Sequence, residues 1–216
     1  MVSEVTAIRE GKGRKKRVNV FLDGRFGFSL ETEVAAREGI RIGAELSAEQ
    51  IEALTRTNRY YVCLGTAMNY LSYRPRSEFE VRTRLERRGF DRANIEAVLG
   101  KLKEQRLLDD ENFARFWEEN RDSFRPRSQR MVQLELKRKG VAHETIEQVT
   151  ATIDDGEMAY RAAASKARTL RDSDYQTFRR RVGDFLRRRG FNYETINQTV
   201  KKLWQELTGG AGPDET

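Results

Sequence analysis

The segment Val81-Arg-Thr-Arg-Leu85-Glu-Arg-Arg-Gly89 has two counterparts downstream, Val132-Gln-Leu-Glu-Leu136-Lys-Arg-Lys-Gly140 and Val182-Gly-Asp-Phe-Leu186-Arg-Arg-Arg-Gly190. Their glycines lie 51 and 50 residues apart. In each copy the valine and leucine are four positions apart and share one helical face. A basic run then ends at glycine, as expected where cations meet the negative end of a helix and a left-handed residue stops it. The period continues through Ile95, Ile146 and Ile196, then Leu102, Ile153 and Leu203. Repeats of about 50 residues therefore run from about 57 to 207. Such a period marks helical units that bury their apolar stripes by stacking on neighbours. Each unit divides into three helices, predicted at 60–73, 78–88 and 92–104, at 110–122, 129–139 and 143–153, and at 157–170, 175–189 and 193–207.

Upstream the period drops to two. Val18, Val20 and Leu22 alternate before Asp23-Gly24, and Phe26, Phe28 and Leu30 alternate after it. Asp-Gly accepts the positive φ angles of a type I′ turn, so this is a β-hairpin. Residues 5–9 offer a third strand, 12–17 a basic loop, and 31–37 a short helix ended by Gly39. Ser47 with Gln50 and Ser77 with Glu80 have capping-box spacing, and Asp91, Asp109 and Asn192 stand at N-cap positions. The expected fold is mainly α: tandem three-helix repeats in an elongated curved array behind a small N-terminal subdomain that contains the hairpin. Its divisions are 1–46 for that subdomain, 47–107 for a linker helix and the first repeat, 108–154 and 155–207 for the second and third, and 208–216 for a disordered tail.

Composition excludes several chemistries. Of 216 residues, one is cysteine (Cys63) and one histidine (His143), too few for a disulfide framework or a Cys/His zinc site. No phosphate loop of the form G-x-x-x-x-G-K-[ST] is present, and His143, read at the position of Asp91 and Asn192, is an exposed helix-start residue rather than a general base. The acidic runs Asp109-Asp110-Glu111 and Asp154-Asp155 are explained by helix capping without a metal. The aromatics Tyr60, Tyr61, Tyr70, Tyr73, Phe113, Phe116 and Trp117 recur at helical spacing and read as packing. No enzyme activity, cofactor or metal is expected. The chain shows no signal peptide and no apolar run long enough to cross a membrane, so a cytoplasmic monomer is expected.

The charge balance is informative. There are 41 basic and 34 acidic residues, a net charge of +7, and this suits a polyanionic or acidic partner. Basic residues recur at one place in each repeat: Arg87 and Arg88, Arg138 and Lys139, and Arg187 and Arg188 end the middle helices, while Arg74 and Arg76, then Arg125 and Arg127, precede the first two. Arg180 and Arg181 add a ridge seven residues before Arg187 and Arg188. A solvated face with ion pairs such as Glu80 to Arg84 and Arg180 to Asp184 accounts for about half of them. It does less well for 178–189, where six arginines face one aspartate. These twelve residues are the candidate surface for a partner or for DNA.

The segment Ala67-Met-Asn-Tyr-Leu-Ser-Tyr-Arg-Pro-Arg-Ser-Glu-Phe-Glu-Val-Arg-Thr-Arg-Leu-Glu-Arg-Arg-Gly-Phe90 closely resembles the RecX regulatory proteins of bacteria. Leu108-Asp-Asp-Glu-Asn-Phe-Ala114 and Leu134-Glu-Leu-Lys-Arg-Lys-Gly140 continue the resemblance, which covers all three repeats. Phe21-Leu-Asp-Gly and Glu33-Val-Ala-Ala-Arg-Glu-Gly39 look like the N-terminal extension of some members. The resemblance implies a protein that lies in the groove of the RecA filament on DNA and mostly inhibits its ATPase, strand exchange and coprotease activities, in recombination, DNA repair and the SOS response. A stand-alone DNA-binding helical-repeat protein and a helical scaffold for another acidic protein are the alternatives. The Arg-Pro-Arg-Ser segment at 74–77 and 125–128 is missing from the third repeat, so the repeats need not make equivalent contacts.

Overall fold

The computed structural model describes residues 2–11 and 17–209. Most of the predicted basic loop, and the tail from 210 on, lie outside them. Strands β1 (Val2–Glu10), β2 (Arg17–Leu22), β3 (Arg25–Glu31) and β4 (Glu45–Ser47) form one antiparallel sheet in the order β3-β2-β1-β4. Asp23 and Gly24 have φ of 49° and 81°, the left-handed pair that a type I′ hairpin needs. Among the described residues ten helices follow the sheet or interrupt it: α1 (Thr32–Arg37), α2 (Ala48–Leu71), α3 (Glu78–Glu86), α4 (Arg92–Glu104), α5 (Asp110–Phe124), α6 (Gln129–Arg138), α7 (His143–Thr150), α8 (Asp155–Arg168), α9 (Tyr175–Arg187) and α10 (Tyr193–Thr208). The protein is thus mainly helical, in three-helix repeats behind a small sheet.

The chain forms two compact units, one of residues 1–74 and 81–108 and the other of 75–80 and 109–216. The first is organised by α2, a single 24-residue helix where the spacing predicts a linker helix from 47 and a separate one from 60. Ser47 and Gln50 start it with a complete capping box. Leu54 packs with Val5, Val20 and Leu30 of the sheet, while Cys63 and Ala67, a few turns on, pack with Val81, Leu85, Val98 and Leu102. Asn58 lies between these two clusters. Its side chain accepts from the Glu31 backbone amide at 3.0 Å and donates to the Ser29 carbonyl at 3.2 Å, which ties α2 to the edge strand β3. Cys63 is completely buried, and burial pushes its thiol up to about 11, as suits an inert core residue.

In the second unit the repeats are joined by their helix ends. Asp109 and Asp154 accept from the first amides of their own helices, α5 and α8. The second aspartate of each pair reaches elsewhere: Asp110 Oδ1 accepts from the Glu78 amide at 2.8 Å, and Asp155 Oδ1 from the Gln129 amide at 2.6 Å. Each pair therefore caps two helices, its own and the middle helix of the repeat before. The buried hydroxyls of Ser77 and Ser128 accept from the Glu80 and Met131 amides at those same helix starts. At the second joint the Ser128 amide donates to the Arg189 carbonyl at 3.2 Å, so the end of α9 abuts the start of α6. The repeat glycines occupy these joints. A Cβ on Gly140 would lie 2.6 Å from Phe79 Cβ, and one on Gly190 would lie 2.7 Å from Ser128 Oγ and 3.0 Å from Met131 Cβ. Gly89, with no repeat before it, has nothing within 4 Å among the described residues.

Candidate functional site

The structure divides the twelve basic residues into those that hold the fold together and those that face outward. Lys139 lies at the end of α6, where its ammonium bonds Glu80 and sits 5.1 Å from the Trp117 ring centre. Arg127 pairs with Glu135 at 2.8 Å. Glu135 is 13% exposed and also accepts from Trp117 Nε1 at 2.8 Å and Arg121 Nε at 2.7 Å. One carboxylate thus joins α5, α6 and the elbow between them. Glu135→Gln removes the charge that two guanidinia share, and it should cost about 1 to 3 kcal/mol, below the figure for a fully buried pair because Arg127 is partly solvated. Urea unfolding followed by tryptophan fluorescence checks this, since Trp117 and Trp204 both lie in the second unit.

The ion pairs differ from the sequence expectation. Glu80 bonds Lys139 rather than Arg84, and Asp184 bonds Arg187 at 2.7 Å rather than Arg180. Helical proximity permitted both predicted pairs, but Arg84 lies over the Tyr70 ring and the i,i+3 partner reached Asp184 first. His143 is also one position from its expected register. The residue equivalent to Asp91 and Asn192 is Ala142, which has no side chain able to cap α7, and His143 is the first helical residue, well exposed and 3.4 Å from Glu147. Neither change makes it a base for a nucleophile.

Arg74 and Arg76 are half-buried beside the turn before α3. Arg87, Arg88, Arg125, Arg138, Arg180, Arg181 and Arg188 are exposed and have no carboxylate at ion-pair distance among the described residues. Some of these gather. Burial lowers the Arg189 pKa, and the charges of Arg127, Arg188 and Arg125 lower it further. Arginines from the α5–α6 elbow and from the end of α9 are thus close enough to repel one another. Arg125 and Arg188 are the C-cap residues of α5 and α9, so each helix dipole offsets part of that repulsion. Arg189, half-buried with its guanidinium 3.9 Å from the Phe185 ring centre, belongs to this cluster although it is not among the twelve. The run Arg187-Arg188-Arg189 was the signal that could have included it.

Helix α9 extends the cluster. Phe178, Val182 and Leu186 bury one face, and Arg180, Arg181, Arg187 and Arg188 lie off it. Arg181 and Arg188 are seven residues apart, nearly two turns, and share a side. Such a surface binds oxyanions through charge and paired N–H donors, and it offers no nucleophile or base. Among the described residues no group of His, Cys, Asp and Glu could hold a metal ion, and no helix is long and apolar enough to cross a membrane.

Comparison with known proteins agrees along most of the chain. Residues 3–47 match the regulatory protein RecX N-terminal domain, and 63–102, 109–149 and 154–200 match the first, second and third RecX three-helix domains. Regulatory protein RecX of Lactobacillus johnsonii is 32% identical over 198 residues, covering 90% of this chain and 73% of its own. That of Halalkalibacterium halodurans is 30% identical over 202 residues, covering 90% and 76%. A crystal structure of regulatory protein RecX, at 20% identity, aligns over 98% of this chain and 95% of its own with a TM-score of 0.61. At that identity it speaks for the fold alone.

Proposed function

Because the chain belongs to the RecX family of regulatory proteins, we propose that it binds the RecA filament on DNA and restrains RecA's ATPase, strand-exchange and coprotease activities. The observation that carries this reading is the set of outward arginines around Arg125, Arg181 and Arg188. Unpaired like charges are unfavourable on a free surface, and a nucleoprotein polyanion would neutralise them. The protein acts by occupying the filament, as a cytoplasmic monomer without chemistry of its own.

Co-sedimentation tests this reading. The protein should pellet with RecA filaments formed on single-stranded DNA with a non-hydrolysable nucleotide, and much less with the same DNA alone at moderate salt. Equal pelleting with bare DNA would instead favour the stand-alone DNA-binding reading. His143→Asn should leave both filament binding and ATPase inhibition within about twofold of wild type, since that side chain is exposed and lies 3.4 Å from Glu147 on its own helix. Loss of inhibition in this variant would point to chemistry that the proposal denies.

A further inference from the structure

Between α9 and α10 lies an open groove of about 300 Å³, with Arg180 and Arg187 on one rim and Tyr193 and Asn197 on the other. Its floor is Gly183 and Ile196. Glycine in a helix interior costs about 1 kcal/mol relative to alanine. Packing does not require it here, because a Cβ on Gly183 would meet only Ile196 Cγ2, at an ordinary 3.6 Å. What the missing side chain does is leave the apolar floor uncovered.

The other repeats carry the same slot differently filled. In the first, Arg82 stands at the place of Gly183 and bonds Glu96, which stands at the place of Asn197. That ion pair lies across the equivalent position. In the second repeat the groove, about 370 Å³, is lined by Gln133, Leu134 and His143 where the third has Gly183, Asp184 and Tyr193. Only the third combines an uncovered floor, an aromatic ring 73% exposed and an arginine, Arg180, without a carboxylate partner among the described residues.

We propose that this groove takes one nucleotide of a single-stranded nucleic acid, with the phosphodiester on Arg180, at the end of the groove away from Arg187, which Asp184 holds, the base face on Gly183 and Ile196, and the base edge toward Tyr193 and Asn197. An acidic peptide would use Arg180 but would have no use for a flat apolar floor beside an exposed ring and a side-chain amide. Single strands present a phosphate and an unstacked base together, whereas a duplex hides the base face. The role given to Arg180 rests on the reading of the basic surface as partner-facing, which the slot makes more specific.

Gly183→Leu tests it without changing charge, and leucine favours the helix. In fluorescence anisotropy, a labelled oligothymidylate should bind the variant about tenfold more weakly than wild type, the scale of one base stack. Inorganic polyphosphate should compete equally well on both proteins. Tyr193→Ala, at an exposed position, should lose about fivefold and gives a second reading should the leucine variant misfold. Unchanged oligothymidylate affinity in both variants would overturn the proposal, and so would equal losses for oligothymidylate and polyphosphate. Inhibition of RecA ATPase by the same variants separates the two readings: inhibition with no slot binding sinks only the slot, and slot binding with no inhibition sinks only the filament reading.

Discussion

Gly190→Ala should destabilise the second unit far more than Gly209→Ala or Gly89→Ala, although all three glycines have positive φ, between 70° and 89°. The left-handed backbone alone costs an alanine about 1 to 2 kcal/mol. Among the described residues Gly209 and Gly89 have nothing within 4 Å of an added Cβ, so that cost is the whole of it. At Gly190 the new methyl meets Ser128 Oγ at 2.7 Å and Met131 Cβ at 3.0 Å, and Ser128 is a buried cap whose backbone amide also bonds Arg189. Relieving that clash means moving the start of α6 away from the end of α9. Overpacking of this kind adds about 1 to 3 kcal/mol. Gly140→Ala, against Phe79 Cβ, should behave similarly. Thermal unfolding followed by tryptophan fluorescence should show the Gly190 and Gly140 variants melting well below Gly209→Ala. Coincident melts would mean that the glycines serve only to end helices.

This joint marks the limit of what the repeat pattern could disclose. Val81, Val132 and Val182, with Leu85, Leu136 and Leu186, were legible because burial imposes one periodicity on every copy. The helix-ending role of the glycines was legible for the same reason, as their φ angles show. Their second role was not, since Gly89 and Gly190 look alike in sequence and differ only in whether a preceding repeat packs there. The double capping by Asp109-Asp110 and Asp154-Asp155 was half legible: local spacing predicts the first bond, but the second spans 32 residues in one case and 26 in the other. β4 escaped notice because three residues are too few for an alternating pattern. Among the basic residues, recurrence picked the right helix ends but could not separate Lys139 and Arg127, which are held by Glu80 and Glu135, from Arg125 and Arg188, which are not. Those partners lie 59 and eight residues away in the chain, and only folding shows which carboxylate each cation meets.

Charge reversal at Arg125, Arg181 and Arg188 should remove most filament binding while leaving the fold intact. None of the three has a carboxylate partner among the described residues, and all are exposed. Stability should fall by no more than about 1 to 2 kcal/mol, mostly from placing acids at the C-caps of α5 and α9. Arg187 is left unchanged because Asp184 already holds it. Substituting glutamate at all three shifts the local charge by about six, so affinity for a polyanionic filament should drop by at least about a hundredfold at low salt. The salt dependence should flatten too, because each phosphate that is no longer neutralised takes roughly 0.9 off the slope on duplex DNA. Reversal at Arg82 and Arg84 is the internal comparison. Those residues are engaged by Glu96 and Tyr70, so any effect should appear in stability before it appears in binding. Co-sedimentation at two salt concentrations, with circular dichroism on each variant, separates the cases, and equal binding by the triple variant and wild type would return these arginines to the solvated face.

The most direct test of filament regulation is the rate of ATP hydrolysis by RecA on single-stranded DNA as this protein is added. The rate should fall progressively at substoichiometric to equimolar protein, the protein alone should release no phosphate, and the Arg125, Arg181 and Arg188 glutamate variant should leave the rate near its starting value. A RecA rate unchanged at a several-fold excess of folded wild-type protein would contradict filament regulation outright.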